Sequence, residues 1–185
     1  MGTLGEGNYE YKPVPDWAKL PSDLILGDVA GIAVDDRDRV YLFNRGKHPI
    51  VVLSQSGEII STWGEGVFSN PHGASIGPDQ CIYLTDNFDH TVRKFSLDGR
   101  LLLKIGVAGE SSGFMSGKPF CKCTHSAVSP AGDIFVSDGY QNACIHKFDP
   151  NGKLLMSWGT SGTGPKELIF PIIFVVILMA GFMWL

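Results

Sequence analysis

The apolar positions of this chain fall into runs of four to six residues, rich in Val, Ile, Leu, Tyr and Phe and closed by turn formers. The runs come in sets of four. The first set covers residues 31–34, 39–43, 50–53 and 59–63; the second 73–76, 81–86, 92–97 and 101–105; the third 126–129, 133–138, 145–148 and 154–158. Within them Val92-Arg-Lys-Phe95 and Ile145-His-Lys-Phe148 alternate in the way of strands with one buried face. Asp35-Asp36, Ser56-Gly57, Pro78-Asp79, Asp98-Gly99, Pro130-Ala-Gly132 and Asn151-Gly152 separate the runs, and the glycines of Asp98-Gly99 and Asn151-Gly152 suit tight hairpin turns with positive φ.

The three sets are one pattern repeated. Gly57 and Gly99 lie 42 residues apart, as do Gly64 and Gly106. Gly99 and Gly152, and Gly106 and Gly159, lie 53 apart, with the added 11 residues in the Gly/Ser-rich stretch 107–117. Four short strands recurring at such a period predict the blades of a β-propeller rather than a simple sandwich. The expected organisation is an extended segment over 1–26, about three four-stranded blades over 27–165 and a separate tail over 168–185. One blade does not bury both of its faces, so neighbours must stack on it. Three blades leave two faces unpaired, which predicts self-association.

Composition narrows the partners. A net charge of −4 with scattered lysines and arginines argues against nucleic acid. Cys81, Cys121, Cys123 and Cys144 do not form a Cys-x-x-Cys motif; buried free thiols are expected, with a bridge from Cys121 or Cys123 to Cys144 as the alternative. Residues 1–27 carry six charged side chains and no apolar core, so no signal peptide is expected there.

Composition changes abruptly after Glu167. Residues 168–185 are apolar and uncharged, long enough at about 1.5 Å per residue to cross a thin bilayer as a helix. This predicts a hydrophobic C-terminal transmembrane helix and membrane attachment by the tail. The same segment has a second reading. Pro171 stands where Pro71 stands in the second set, and Ile172 where His72 stands, so the tail replaces the start of a fourth blade, as a truncation or frameshift would.

Chemistry is expected where the repeat is broken. His72 opens the strand nearest the axis, where a neutral imidazole suits zinc or caps a turn. His125, 53 residues on, is expected at the same register, as a further metal ligand or as a rim residue bonding the next blade. Arg45 is read as replacing the aspartate that the other sets supply as Asp86 and Asp138. It suits a carboxylate or a developing oxyanion, or an ion pair with an acid such as Asp35. Tyr140 follows Asp138-Gly139 and is either a base with a lowered pKa or a packed aromatic. Asp86 and Asp138, which recur, are expected to hold backbone amides. Trp63 and Trp158 are expected between blades, and His90 and His146 to face solvent.

The repeats resemble NHL repeats. From Tyr9 to Glu167 the chain is similar to the N-terminal half of the peptidyl-α-hydroxyglycine α-amidating lyase family. The motifs that carry the resemblance are Val29-Ala-Gly-Ile-Ala-Val-Asp35, Phe43-Asn-Arg-Gly-Lys-His48, Asn70-Pro-His-Gly73 and Val136-Ser-Asp-Gly-Tyr140. The resemblance implies an all-β, NHL-type partial propeller and cleavage of a carbinolamide to an amide and glyoxylate. It implies a peptide or small amide-like substrate and zinc held by three histidines from alternate blades, of which His72 matches one. Arg45 matches the family's arginine and Tyr140 its tyrosine base. The carbonyls of Ile32 and Ala74 match ligands of a structural calcium. Cys121 matches half of a family disulfide, but Gln141 occupies its partner's position. With one of three zinc ligands present, the chain alone is expected to be inactive; the alternatives are a membrane-tethered NHL binding or scaffold module, or a truncated product without stable function.

Overall fold

The computed structural model describes residues 2–173, 177–179 and 182–184. Three four-stranded antiparallel sheets follow one another along the chain, each in the simple order of its strands. The first contains β1 (Val29–Val34), β2 (Val40–Asn44), β3 (Ile50–Leu53) and β4 (Ile59–Trp63). The second contains β5 (Pro71–Ile76), β6 (Cys81–Asp86), β7 (Thr91–Ser96) and β8 (Leu101–Ile105). The third contains β9 (His125–Val128), β10 (Ile134–Asp138), β11 (Cys144–Phe148) and β12 (Leu154–Trp158). The four-stranded repeat is therefore the sheet, as the periodic runs predict.

The same turn chemistry closes the same hairpin three times. Gly57, Gly99 and Gly152 have φ of 83°, 90° and 83°, a region that glycine enters without a Cβ penalty. Gly99 is also pressed against a neighbour: a Cβ there would lie 3.1 Å from the Trp63 ring of the preceding blade. Trp63 in turn stacks on Phe95, with ring centroids 5.2 Å apart, and so joins the first blade to the second as expected. Trp158 packs on Phe135 within its own blade.

The core lies between sheets. Tyr41, Phe43, Ile50 and Val52 of the first blade meet Ile82, Leu84 and Phe95 of the second. Tyr83, Val92 and Ile105 meet Ile134, Val136 and Phe148 of the third, with Phe120 filling the gap. Each fully buried aliphatic or aromatic side chain contributes about 1.5–3 kcal/mol, so stacking is the main adhesive between blades. The outward face of the first blade, expected to be bare, is covered. Trp17, Ala18, Leu20, Leu24 and Leu26 pack on Leu42, Val51 and Leu53. The Trp17 indole N–H donates to the Gln55 carbonyl at 2.9 Å, and the Lys19 N–H to Gly57 at 2.9 Å.

The tail departs from expectation. After the short parallel pair β13 (Thr160–Ser161) and β14 (Glu167–Leu168), β15 (Ile177–Met179) and β16 (Phe182–Trp184) pair antiparallel. No helix occurs among the described residues, and none is long and apolar enough to cross a membrane. The C-terminal helix expected over 168–185 is thus corrected. An unbroken apolar run has no period that separates helix from strand, and this one is rich in β-branched residues. Residues 174–176, 180, 181 and 185 of that segment lie outside the described residues.

The start of the tail fits the propeller register. The Thr124 hydroxyl donates to the Pro171 carbonyl at 2.8 Å, the Ser137 hydroxyl to Ile172 at 3.3 Å, and Pro171 lies directly over Gly139. In the same way the Arg45 side chain reaches the Pro71 carbonyl at 3.2 Å one blade boundary earlier. Pro171 and Ile172 therefore occupy the places that Pro71 and His72 occupy, beside the third blade.

Candidate functional site

Strand pairing fixes which residues are equivalent. Val29 pairs with Asn44 and Pro71 with Asp86, while Phe43, Thr85 and Ser137 pair with Gly31, Gly73 and His125. Asn44, Asp86 and Asp138 are thus one position. Arg45 does not replace the recurrent aspartate; Asn44 does, and Arg45 is the first residue of the turn that follows. Likewise Thr124, not His125, is the equivalent of His72, because the inner strands of the second and third blades are offset by one residue less than the outer ones. The added residue sits in the turn between β10 and β11, the turn that carries Tyr140.

The recurrent position is a clamp. The Asn44 side-chain carbonyl accepts the N–H groups of Gly27 and Gly46 at 3.2 and 2.7 Å. Asp86 accepts those of Asn70, Phe88 and Asp89 at 3.0, 3.2 and 3.0 Å. Asp138 accepts the Cys121 N–H and the Asn142 amide, both at 2.8 Å. Each clamp ties the segment entering the inner strand to the turn leaving the second strand, as the recurrence predicts.

Asp138 also receives His146. Its Nε2–H points to the carboxylate at 3.2 Å, and its Nδ1 accepts the Ser157 hydroxyl at 2.7 Å. His146 is fully buried, which corrects its expected exposure. The alternation along β11 assigned its face by polarity, whereas a paired imidazole is tolerated inside. His90 also has an internal role, its Nδ1 accepting the Lys122 N–H at 3.1 Å.

Beyond the clamps lies the inner rim. The β5–β6 register slips between Pro71 and Gly73, leaving His72 as the unpaired residue of a bulge. Bulges re-aim side chains, and here the imidazole turns toward the third blade. Its Nδ1–H donates to the Thr124 carbonyl at 2.7 Å, which leaves the Nε2 lone pair for the Tyr140 hydroxyl at 3.0 Å. The rings meet edge to face, 5.3 Å between centroids. Burial, reinforced by the nearby Arg45 charge and only partly opposed by the Thr124 carbonyl, holds His72 below its usual pKa.

Arg45 and Tyr140 line one cavity of about 420 Å³ with Asn70, Asn87, Phe88, Lys122 and Gln141. Arg45 pairs with the exposed Asp28 at 3.2 Å rather than with Asp35, which binds Arg39. His72 lines a second, neighbouring cavity of about 230 Å³ together with Ile32, Ala74, Thr124, His125 and Ile172. The His72–Tyr140 bond joins the two. The sequence-selected Arg45, His72 and Tyr140 therefore converge. His125 does not join them through a bond; its ring rests on Gly73, and burial above all, with a smaller contribution from the neighbouring His72, lowers its pKa to about 4.

The implied metals fit poorly. Among the described residues no three His, Cys, Asp or Glu side chains group around a point. The four equivalent inner positions are Ala30, His72, Thr124 and Ile172, a single imidazole, whereas catalytic zinc takes three protein ligands. The calcium carbonyls of Ile32 and Ala74 border a cavity without a carboxylate, while calcium takes six to eight oxygens. All four cysteines are free. The Cys121 thiol lies 3.5 Å from the Gln141 amide oxygen.

Sequence reasoning missed Lys122, Asn70 and Asn87 as cavity residues. Asn70 and Asn87 bond each other at 2.7 Å across 17 residues of sequence, a pairing that only the repeat register exposes.

No family model matches the chain. Peptidyl-alpha-hydroxyglycine alpha-amidating lyase 1 of Drosophila melanogaster is 40% identical over 107 residues, 56% of this chain and 19% of that protein. NHL repeat-containing protein 3 of Homo sapiens is 30% identical over 180 residues, 91% of this chain and 51% of that protein. The chain spans at most about half the length of these relatives. A solved streptogramin B lyase superposes with a TM-score of 0.61 at 14% identity, over 83% of this chain and 46% of that one, and shares the fold. The chain is thus a β-propeller-type protein whose curated relatives include amidating lyases and an NHL repeat-containing protein.

Proposed function

We propose that the cavity between Arg45 and Tyr140 is a lyase-like site for a peptide ending in α-hydroxyglycine. The Arg45 guanidinium receives the carboxylate, in the planar geometry that arginine offers. Tyr140 faces the carbinol hydroxyl. As the hydroxyl proton passes to Tyr140, the phenolic proton passes to His72 Nε2, whose lone pair is already aimed at it. The C–N bond breaks, its electron pair leaves with the amide nitrogen, that nitrogen takes the proton back from the His72–Tyr140 pair, and the carbinol carbon becomes the aldehyde of glyoxylate. Burial keeps His72 neutral and able to accept.

The observation that carries this reading is the Tyr140–His72 hydrogen bond beside Arg45; the similarity to amidating lyases supports it. The test is glyoxylate release from a peptidyl-α-hydroxyglycine by the purified chain. Turnover lost in Tyr140→Phe and in His72→Gln supports the reading. Wild-type protein that binds the peptide without releasing glyoxylate favours a binding module, and turnover surviving in Tyr140→Phe contradicts the assigned base.

A further inference from the structure

The cavity that receives Arg45 and Tyr140 also contains Lys122. Among the described residues three lysines lie over an aromatic ring, and two of them are built alike. Lys94 lies 5.6 Å from the Tyr83 centroid and pairs with Asp79 at 2.7 Å. Lys147 lies 5.4 Å from the Phe135 centroid and pairs with Asp133 at 2.8 Å. Lys122 lies 5.5 Å from the Phe88 centroid, yet among the described residues no carboxylate pairs with it.

Its position is fixed by the backbone. The Lys122 N–H is held by His90, and the preceding Cys121 N–H by the Asp138 clamp. The cavity has two cations, three side-chain amides, a phenol and no acid. The carboxylate nearest Arg45 is Asp28, 82% exposed and outside the cavity lining. Two like charges beside one cavity repel each other, and an anionic ligand relieves that repulsion.

We infer that Lys122 is a second anion-recognising group and makes the site selective for dianionic ligands. Resting on the proposed function, this names the substrate class: a peptide with α-hydroxyglycine at its C-terminus and an acidic residue before it. The terminal carboxylate sits at Arg45 and the acidic side chain at Lys122. Lys122 determines specificity and takes no part in bond cleavage.

The test uses two stable probes, acetyl-Glu-Gly and acetyl-Gln-Gly, titrated calorimetrically into the full chain at low ionic strength. The charged probe is expected to bind about ten-fold more tightly, as a charge-assisted hydrogen bond provides. Lys122→Gln should bring the affinities of the two probes together, and Lys122→Arg should keep the preference. Equal affinity of both probes for the wild type, or a preference that survives Lys122→Gln, overturns the inference and leaves the Arg45 carboxylate site standing. Binding of neither probe overturns both. The wild-type comparison needs no variant to fold.

Discussion

Asn44, Asp86 and Asp138 occupy one position in three blades and do one job. The turns that start immediately after them differ in every blade: Arg45 in the first, Asn87 and Phe88 in the second, Tyr140 and Gln141 in the third. The clamp position is buried, saturated with hydrogen bonds and interchangeable between Asp and Asn. The turns are chemically unlike one another, and all three line one cavity. A propeller repeats what it needs for stacking; where neighbouring residues stop repeating, side chains from different blades can assemble a site. The clamps make this workable, because they hold each turn and the segment beside it against the same sheet.

This contrast can be broken, most drastically at the clamp. Asp138→Ala removes a fully buried carboxylate and leaves the Cys121 N–H, the Asn142 amide and His146 without it. A loss of about 3–5 kcal/mol is expected by urea denaturation. Loss below about 1 kcal/mol would show that the clamp is dispensable.

Acid comes next. The pKa of His125 is near 4 in the folded chain, against 6.5 for an ordinary imidazole. Between these values the unfolded chain binds a proton that the folded chain does not, so stability is full above pH 6.5 and falls as pH drops toward 4. The loss is on the order of 3 kcal/mol. Denaturation curves across that range measure it, and His125→Asn should flatten the slope.

Gly99→Ala sharpens the comparison at a repeated turn. The substitution places a methyl at positive φ and against Trp63. It should cost about 1–2 kcal/mol, and thermal denaturation measures the loss. Tyr140→Phe has the smallest effect on the fold. It loses one hydrogen bond at a half-exposed rim, about 1 kcal/mol or less, while the glyoxylate release proposed for this site is lost. A large stability loss in this variant would place Tyr140 with the clamps instead.

Much of the blade architecture is legible in the sequence, because alternation and turn residues act locally and the spacing repeats. Tyr140 is found as a departure from that repeat, His72 by its place at the start of the innermost strand, and Arg45 through an alignment one residue out of register. What the spacing misplaces is the register within it. One residue added between β10 and β11 shifts the outer hairpin and not the inner strand, so His125 aligns with His72 in the outer count and with Gly73 in the sheet. A one-residue error moves a side chain to the other face. The burial of His146 is not legible locally, because its buried partners, Asp138 and Ser157, lie eight and eleven residues away. Nor is the place of Lys122, whose role depends on turns from all three blades. The apolar run of the tail carries no period that separates helix from strand.

The central claim is that the unlike turns after the clamps form one carboxylate site. Its most direct test is calorimetric titration of N-acetylglycine into the wild-type chain and into Arg45→Gln, each first shown to have the same thermal midpoint. The account predicts binding to the wild type and at least about a ten-fold loss in Arg45→Gln. Equal affinity in the two proteins would contradict it.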